Sequence, residues 1–100
     1  MTVQAISTLQ HEDARLRVTL WEFAPSSETG WHRHEYDYVV VPVQGGVLSV
    51  ETKENTSVPY PITSGQSYAR PRGVEHNIIN RTDQPISFVE VELKPNTSAP

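Results

Sequence analysis

The chain contains no cysteine. Disulfides and thiolate ligands are therefore excluded, and any metal must be held by nitrogen and oxygen atoms. No apolar stretch approaches the roughly 20 residues that a membrane-spanning helix needs. No Lys/Arg cluster exists, and eight basic against twelve acidic residues give a net charge of −4. The electrostatic footprint of nucleic-acid binding is thus missing, and neither nucleic acid nor a membrane is an expected partner. The opening residues MTVQAISTLQ lack a basic region followed by an apolar block, so no signal peptide is read and the cytoplasm is the expected location. Repeats and low-complexity blocks are also lacking.

Within those limits, 100 residues suit one compact domain. Five glycines and eight prolines point to frequent turns, as in an all-β chain. Arg15 to Phe23 (RLRVTLWEF) alternates, with Leu16, Val18 and Leu20 on one face and Arg17, Thr19 and Trp21 on the other. Ala24 to Gly30 is a turn by composition. Trp31 to His34 is extended. Tyr36 to Val43 (YDYVVVPV) is apolar on both faces, as in a strand buried on both sides, and Pro42 implies an edge or a bulge. Gln44-Gly45-Gly46 reads as a hairpin turn, with Val47 to Thr52 returning. Val58 to Ile62, with two prolines, reads as an edge. Gln66 to Arg70, Val74 to Asn80 and Ile86 to Leu93 complete about eight strands. On the last, Glu90 and Glu92 read as an exposed face. The polar segment Leu9 to Arg15 reads as a helical turn or a loop.

Three of the four histidines lie in two short segments. His32 and His34 are two apart, so on a strand they project from one face. That pair alone is compatible with two ligands or with two solvated side chains. The second segment runs from Gly65 through Pro71, Gly73 and His76 to Asn80, with the form G-x5-P-x-G-x2-H-x3-N. Gly65 permits a turn geometry that a side chain obstructs. Pro71 and Gly73 make a tight reversal, and Asn80 can close the next turn through side-chain hydrogen bonds.

Together these segments resemble the signatures of the cupin superfamily. The second segment matches at every fixed position. The first signature, G-x5-HxH-x3-E-x6-G, is matched by His32, His34 and Gly45, while Ser26 stands at the leading Gly and Tyr38 at the Glu. WHRHEYDYVVVP is also similar to the short bacterial cupins of the beta-alanine degradation group. The resemblance implies a single-domain, RmlC-like cupin β-barrel (a double-stranded β-helix, or jelly roll) over residues 15–93. Residues 1–14 form an N-terminal segment and 94–100 a frayed tail. It also implies that His32, His34 and His76 hold one divalent transition metal: Fe, Mn, Ni, Zn or Cu. Such ligation is expected to weaken below about pH 6.5, where an ordinary imidazole is protonated.

Tyr38 replaces the usual fourth ligand. Its parity with His34 points it inward, but a neutral phenol is a poor ligand, so it is expected to donate a hydrogen bond to a metal-bound water or ligand oxygen. Asp37 and Glu35 have the wrong parity for the cavity unless a bulge intervenes. His11 reads as solvated. Arg70 is either a surface residue or the partner of a substrate carboxylate, and Trp21, Trp31, Tyr36, Tyr60 and Tyr68 are core or pocket aromatics. Two functions remain: a metal-dependent dioxygenase, isomerase or hydrolase acting on a small acid or diketone-like metabolite, or a non-catalytic module that captures a small ligand or metal. The apolar outer face of Val39 to Val41 needs a cover, which makes a homodimer the expected assembly.

Overall fold

The computed structural model describes residues 3–53 and 55–95, so the expected tail lies outside the described residues from 96 onward. The strands in chain order are β1 (Val3–Gln4), β2 (Ile6–Glu12), β3 (Leu16–Phe23), β4 (Ser27–Glu28), β5 (His32–Arg33), β6 (Asp37–Gln44), β7 (Gly46–Glu51), β8 (Ser57–Ile62), β9 (Tyr68–Arg70), β10 (Glu75–Ile79) and β11 (Ile86–Leu93). They form two sheets. One has the order β1-β4-β10-β7-β8, with β5 added to β10, and the other β2-β3-β11-β6-β9. Inward residues of both, among them Phe23, Tyr38, Val40, Leu48, Ile62, Ile86 and Phe88, make one core. This is the jelly-roll sandwich expected of a chain with many turns and no helical periodicity.

Three local expectations change. Of residues 9–15, only Asp13 to Arg15 form a loop; Leu9 to Glu12 belong to β2, which pairs with β3 along its length, from Ile6↔Glu22 to Glu12↔Arg17. Its side chains are all exposed, so no buried stripe marks it in the sequence. Gly45-Gly46 does not form a hairpin. β6 pairs with β11 and β9, whereas β7 pairs with β10 and β8, so the chain passes here from one sheet to the other. The crossing is close: a Cβ on Gly45 would lie 2.6 Å from the Ile62 carbonyl oxygen. Hairpins and crossings use the same turn residues, so composition could not separate them. Lys94, at the head of the expected tail, is anchored, with its ammonium donating to Glu12 Oε2 and to the Asp13 carbonyl, both at 2.8 Å.

Other expectations hold. Pro42 sits beside a register shift opposite Ser87/Phe88, where a bulge removes the need for its missing donor. β8 is an edge strand. Its prolines, Pro59 and Pro61, are two residues apart and lose donors on one side only, leaving the other side for the ladder to β7. Asn80 is fully buried, and its amide donates to the carbonyls of Phe23 (3.0 Å) and Gln84 (2.8 Å) while its oxygen accepts from the Thr82 N–H (3.0 Å) and hydroxyl (2.7 Å).

Ser26, at the position where the resembled signature carries glycine, has φ of +69°. This left-handed conformation costs a side-chain-bearing residue about 1–2 kcal/mol. It persists because the Ser26 N–H donates to the Asn80 carbonyl at 2.7 Å. Ser26 is exposed, so a smaller residue loses no packing. Ser26→Gly should therefore stabilise the fold by about 0.5–1 kcal/mol, after allowing for the extra freedom of glycine in the unfolded chain. Urea unfolding checks this, and a midpoint at or below that of the parent refutes it.

Candidate metal centre and its cavities

His32 lies on β5, His34 just beyond it, and His76 on β10, where His32 and His76 are direct register partners. His34 is joined to the second segment through its backbone, donating to the Val74 carbonyl (2.9 Å) and accepting from the Gly73 N–H (2.8 Å). Gly73 makes that approach at φ of +92°, as its expected turn role requires. All three imidazoles converge. The Nε2 atoms of His32 and His34 are 3.1 Å apart, and those of His34 and His76 are also 3.1 Å apart.

The tautomer of His32 follows from its partner. Its Nδ1 lies 2.9 Å from the Gly30 carbonyl oxygen, which can only accept, so Nδ1 carries the proton and Nε2 presents a lone pair. That carbonyl is aimed by Asn77, whose side-chain oxygen accepts from the Gly30 N–H at 3.0 Å and whose amide donates to Glu28 and Glu51. Burial first, then the neighbouring imidazoles, lowers His34 to about 4 and His76 to about 3. Both rings therefore stay neutral well below the ordinary value of 6.5, and for these two the onset of proton competition lies lower than the sequence suggests. Three neutral nitrogens bound to one ion at about 2.0–2.1 Å sit roughly 3.0–3.4 Å apart. The observed spacing and tautomer fit a divalent transition metal.

Tyr38 is buried, as its inward parity predicts. Its ring stacks on His34 with centroids 3.9 Å apart and 17° between planes, and Arg70 is its register partner on β9. Burial pushes the phenol up to about 12, so it remains neutral. Asp37 is exposed and accepts from the Arg72 N–H at 2.8 Å, outside the cluster. Glu35 is exposed at the mouth. His11 is solvated, as expected, and pairs with Asp13 at 2.8 Å.

Glu90 and Glu92 overturn their reading as an exposed face. They are 7% and 8% exposed and point inward with Phe88, because Val89 and Val91 take the outer face of β11. Arg17, directly opposite on β3, donates two hydrogen bonds to Glu92, at 2.8 and 2.9 Å. Glu90 lies 3.9 Å from His34 Nδ1, and burial followed by the Glu92 charge raises its carboxyl to about 7. Strand parity shows that these two acids share a face, but it does not say which face is inside.

Two cavities meet at this cluster. The outer one, ≈ 370 Å³, is lined by His32, His34, Arg17, Trp21, Glu90 and Glu92 among others. The inner one, ≈ 140 Å³, lies between the sheets and is walled by Val40, Leu48, Val50, Ile78 and Phe88. His76, Tyr38, Tyr60, Tyr68, Arg70 and Glu90 also line it. Of the remaining aromatics, Trp31 is exposed and Tyr36 lies 5.7 Å from the Arg17 guanidinium carbon.

The family model described as Cupin domain matches residues 19–92. The chain is 50% identical over 91 residues to the beta-alanine degradation protein BauB of Pseudomonas aeruginosa, covering 91% of this chain and 95% of that protein. A crystal structure of a cupin domain from Bordetella pertussis Tohama I is 52% identical, with a TM-score of 0.91 over 95% of this chain and 98% of that one. A cupin superfamily protein from Desulfitobacterium hafniense, 14% identical, shares the fold at a TM-score of 0.71, over 95% of this chain and 82% of that one.

The raised Glu90 carboxyl has a consequence for stability. Between its ordinary 4.5 and about 7 the folded chain keeps a proton that the unfolded chain has released, so stability falls as pH rises through that window. Glu90→Gln removes the effect. In chelator-treated protein its gain over the parent should be near zero at pH 4.5 and grow to at most about 3 kcal/mol by pH 8. Urea unfolding of both chains at each pH tests this, since the shared histidine contribution, which is lost below 6.5, cancels. A gain independent of pH contradicts it.

Proposed function

The chain belongs to the cupin family, and from that premise we propose that it is a metal-binding cupin of small-molecule catabolism, acting in the cytoplasm on a small acid or diketone-like metabolite. The observation that carries this reading is the convergence of the His32, His34 and His76 Nε2 atoms beside two cavities. The Pseudomonas relative is named for beta-alanine degradation, and the same catabolic setting is proposed here.

In this reading the three histidines hold Fe, Mn, Ni, Zn or Cu as the divalent ion. When bound, such an ion supplies Lewis acidity and, for the redox-active metals, oxygen chemistry. The chain's own residues do the remaining work. Gly30 fixes the His32 tautomer, and Tyr38 braces the His34 ring. Arg17 neutralises Glu92, so that Glu90 is the buried carboxyl left facing both cavities. One observation favours the second reading, a non-catalytic module that captures a ligand: Tyr38, a neutral phenol, fills the place of the family carboxylate. Oxygen uptake and product screening of metal-loaded protein with short acids and diketones separate the two readings.

The metal site has a direct test. Protein purified without an affinity tag should hold about one equivalent of transition metal, and His76→Ala should hold less than about a tenth of that, because two imidazoles remain. Elemental analysis reads both, and equal metal content in parent and variant rejects the three-histidine site.

A homodimer is part of the same proposal. Leu20, Val89 and Val41 lie side by side on the outer face of the second sheet, as do Val18, Val91 and Val39 one step along. The charged Glu22 and Asp37 fall at opposite ends of this patch. No second layer covers it among the described residues. A second copy, related by a two-fold axis, brings the same patch to itself and keeps the rim charges in water. Light scattering should give twice the 11.2 kDa chain mass, falling to one chain for Val91→Lys. A monomeric parent at micromolar concentration refutes the dimer.

A further inference from the structure

The inner cavity has a guanidinium on one side, a carboxyl group on another and apolar walls between. Of the eight Lys and Arg residues, five form ion pairs: Arg17, Arg33, Lys53, Arg81 and Lys94. Among the described residues no carboxylate pairs with Arg15, Arg70 or Arg72, and of these three only Arg70 lines the cavity. Arg70 is exposed at the edge of the cavity, placed there by its position on β9 directly opposite Tyr38 on β6. Tyr60 and Tyr68, with ring centroids 5.5 Å apart, also line this cavity. Glu90 stands on β11, with β6 between it and β9, so the two strands lie roughly 10 Å apart across the sheet. His76 lines the same space.

We propose that the inner cavity binds a short aliphatic monocarboxylate, its carboxylate held by Arg70 with the neighbouring phenols and its uncharged far end lying along the apolar wall towards His76. The size of the cavity sets the length. At ≈ 140 Å³ it equals the volume of about five waters at roughly 30 Å³ each, which suits an acid of about three to five carbons. The charge pattern sets the class. A planar guanidinium without a carboxylate partner selects carboxylate by paired hydrogen bonds. The apolar wall disfavours a second carboxylate on the same ligand, because that charge would lie there without a basic partner. The apolar wall disfavours a polyhydroxylated chain, whose hydroxyls lack partners there. The inference deepens the small-acid reading above and rests on it for the part His76 plays, while the role of Arg70 stands without a metal.

Calorimetric titration tests it with four probes: propionate, butyrate, succinate as the dianion and propan-1-ol as the neutral analogue. Propionate and butyrate should bind at least about tenfold more tightly than succinate or propan-1-ol. Arg70→Gln should weaken the two monocarboxylates by about tenfold or more and leave propan-1-ol unchanged. Arg72→Gln, altering an unpaired arginine outside the cavity, should match the parent. The proposal is overturned by absence of monocarboxylate binding, by equal binding of succinate, by affinity unchanged in Arg70→Gln, or by equal loss in Arg72→Gln. Circular dichroism of each variant confirms folding. Should Arg70→Gln fail to fold, Arg70→Lys, which keeps the charge but loses the paired geometry, must show the same selective loss. Repeating the titrations after chelation separates the two readings. Binding that stays dependent on Arg70 without metal supports the cavity assignment even if the parent carries no metal.

Discussion

The two hydrogen bonds from Arg17 to Glu92 compensate the carboxylate that β11 turns inside together with Ile86 and Phe88. A strand has only two choices, and a slip of one residue exchanges them. Were Val89, Val91 and Leu93 turned inward, the interior would be larger and drier, and the histidine cluster would lose its neighbouring carboxylates. The observed choice buries Glu90 and Glu92, which is tolerable only with compensation. Arg17 supplies it from the opposite register position on β3, at 2.8 and 2.9 Å. Because Arg17 is committed to Glu92, Glu90 is left with an imidazole as its basic neighbour, and burial raises its carboxyl. The same parity turns the valines outward, so the polar interior and the apolar outer face share one cause.

The histidine cluster depends on bonds between segments far apart in the chain. The Gly73 turn is tied to the His34 backbone, Asn77 holds the Gly30 turn that orients His32, and the Ser26 turn is bonded to Asn80. Each of these bonds joins the first histidine segment or its approach to β10 or the turns flanking it. The three imidazoles are therefore positioned by backbone and amide contacts rather than by packing alone. That supports a site formed before any ion arrives, which limits the ordering cost of binding.

The centre stands between an outer cavity rich in polar groups and a smaller apolar inner one, with Glu90 in the wall of both. Tyr38 links the parts of the inner side. Its ring supports His34, and it stands directly opposite the arginine that lines the cavity.

Spacing alone fixes much of this protein. His32, His34 and His76, with Pro71, Gly73 and Asn80, stand at intervals that only a particular set of turns satisfies, and the structure brings those histidines together. Lack of cysteine leaves nitrogen and oxygen as the donors. Pro42 marks its bulge and the Val58–Ile62 prolines their edge because a missing N–H is a local property. Other features are invisible in one dimension. Strand β2 carries no buried face, so its pairing to β3 is decided by backbone bonds that any sequence can make. Gly45-Gly46 suits a hairpin as well as the crossing it makes. The inward turn of Glu90 and Glu92 required Arg17 from a strand some 75 residues earlier, because period-2 alternation separates two faces without saying which meets water. The sequence by itself determined the site's donor types and the turns that carry them, and the tertiary structure alone decided that Glu90 and Glu92 face the interior of β11.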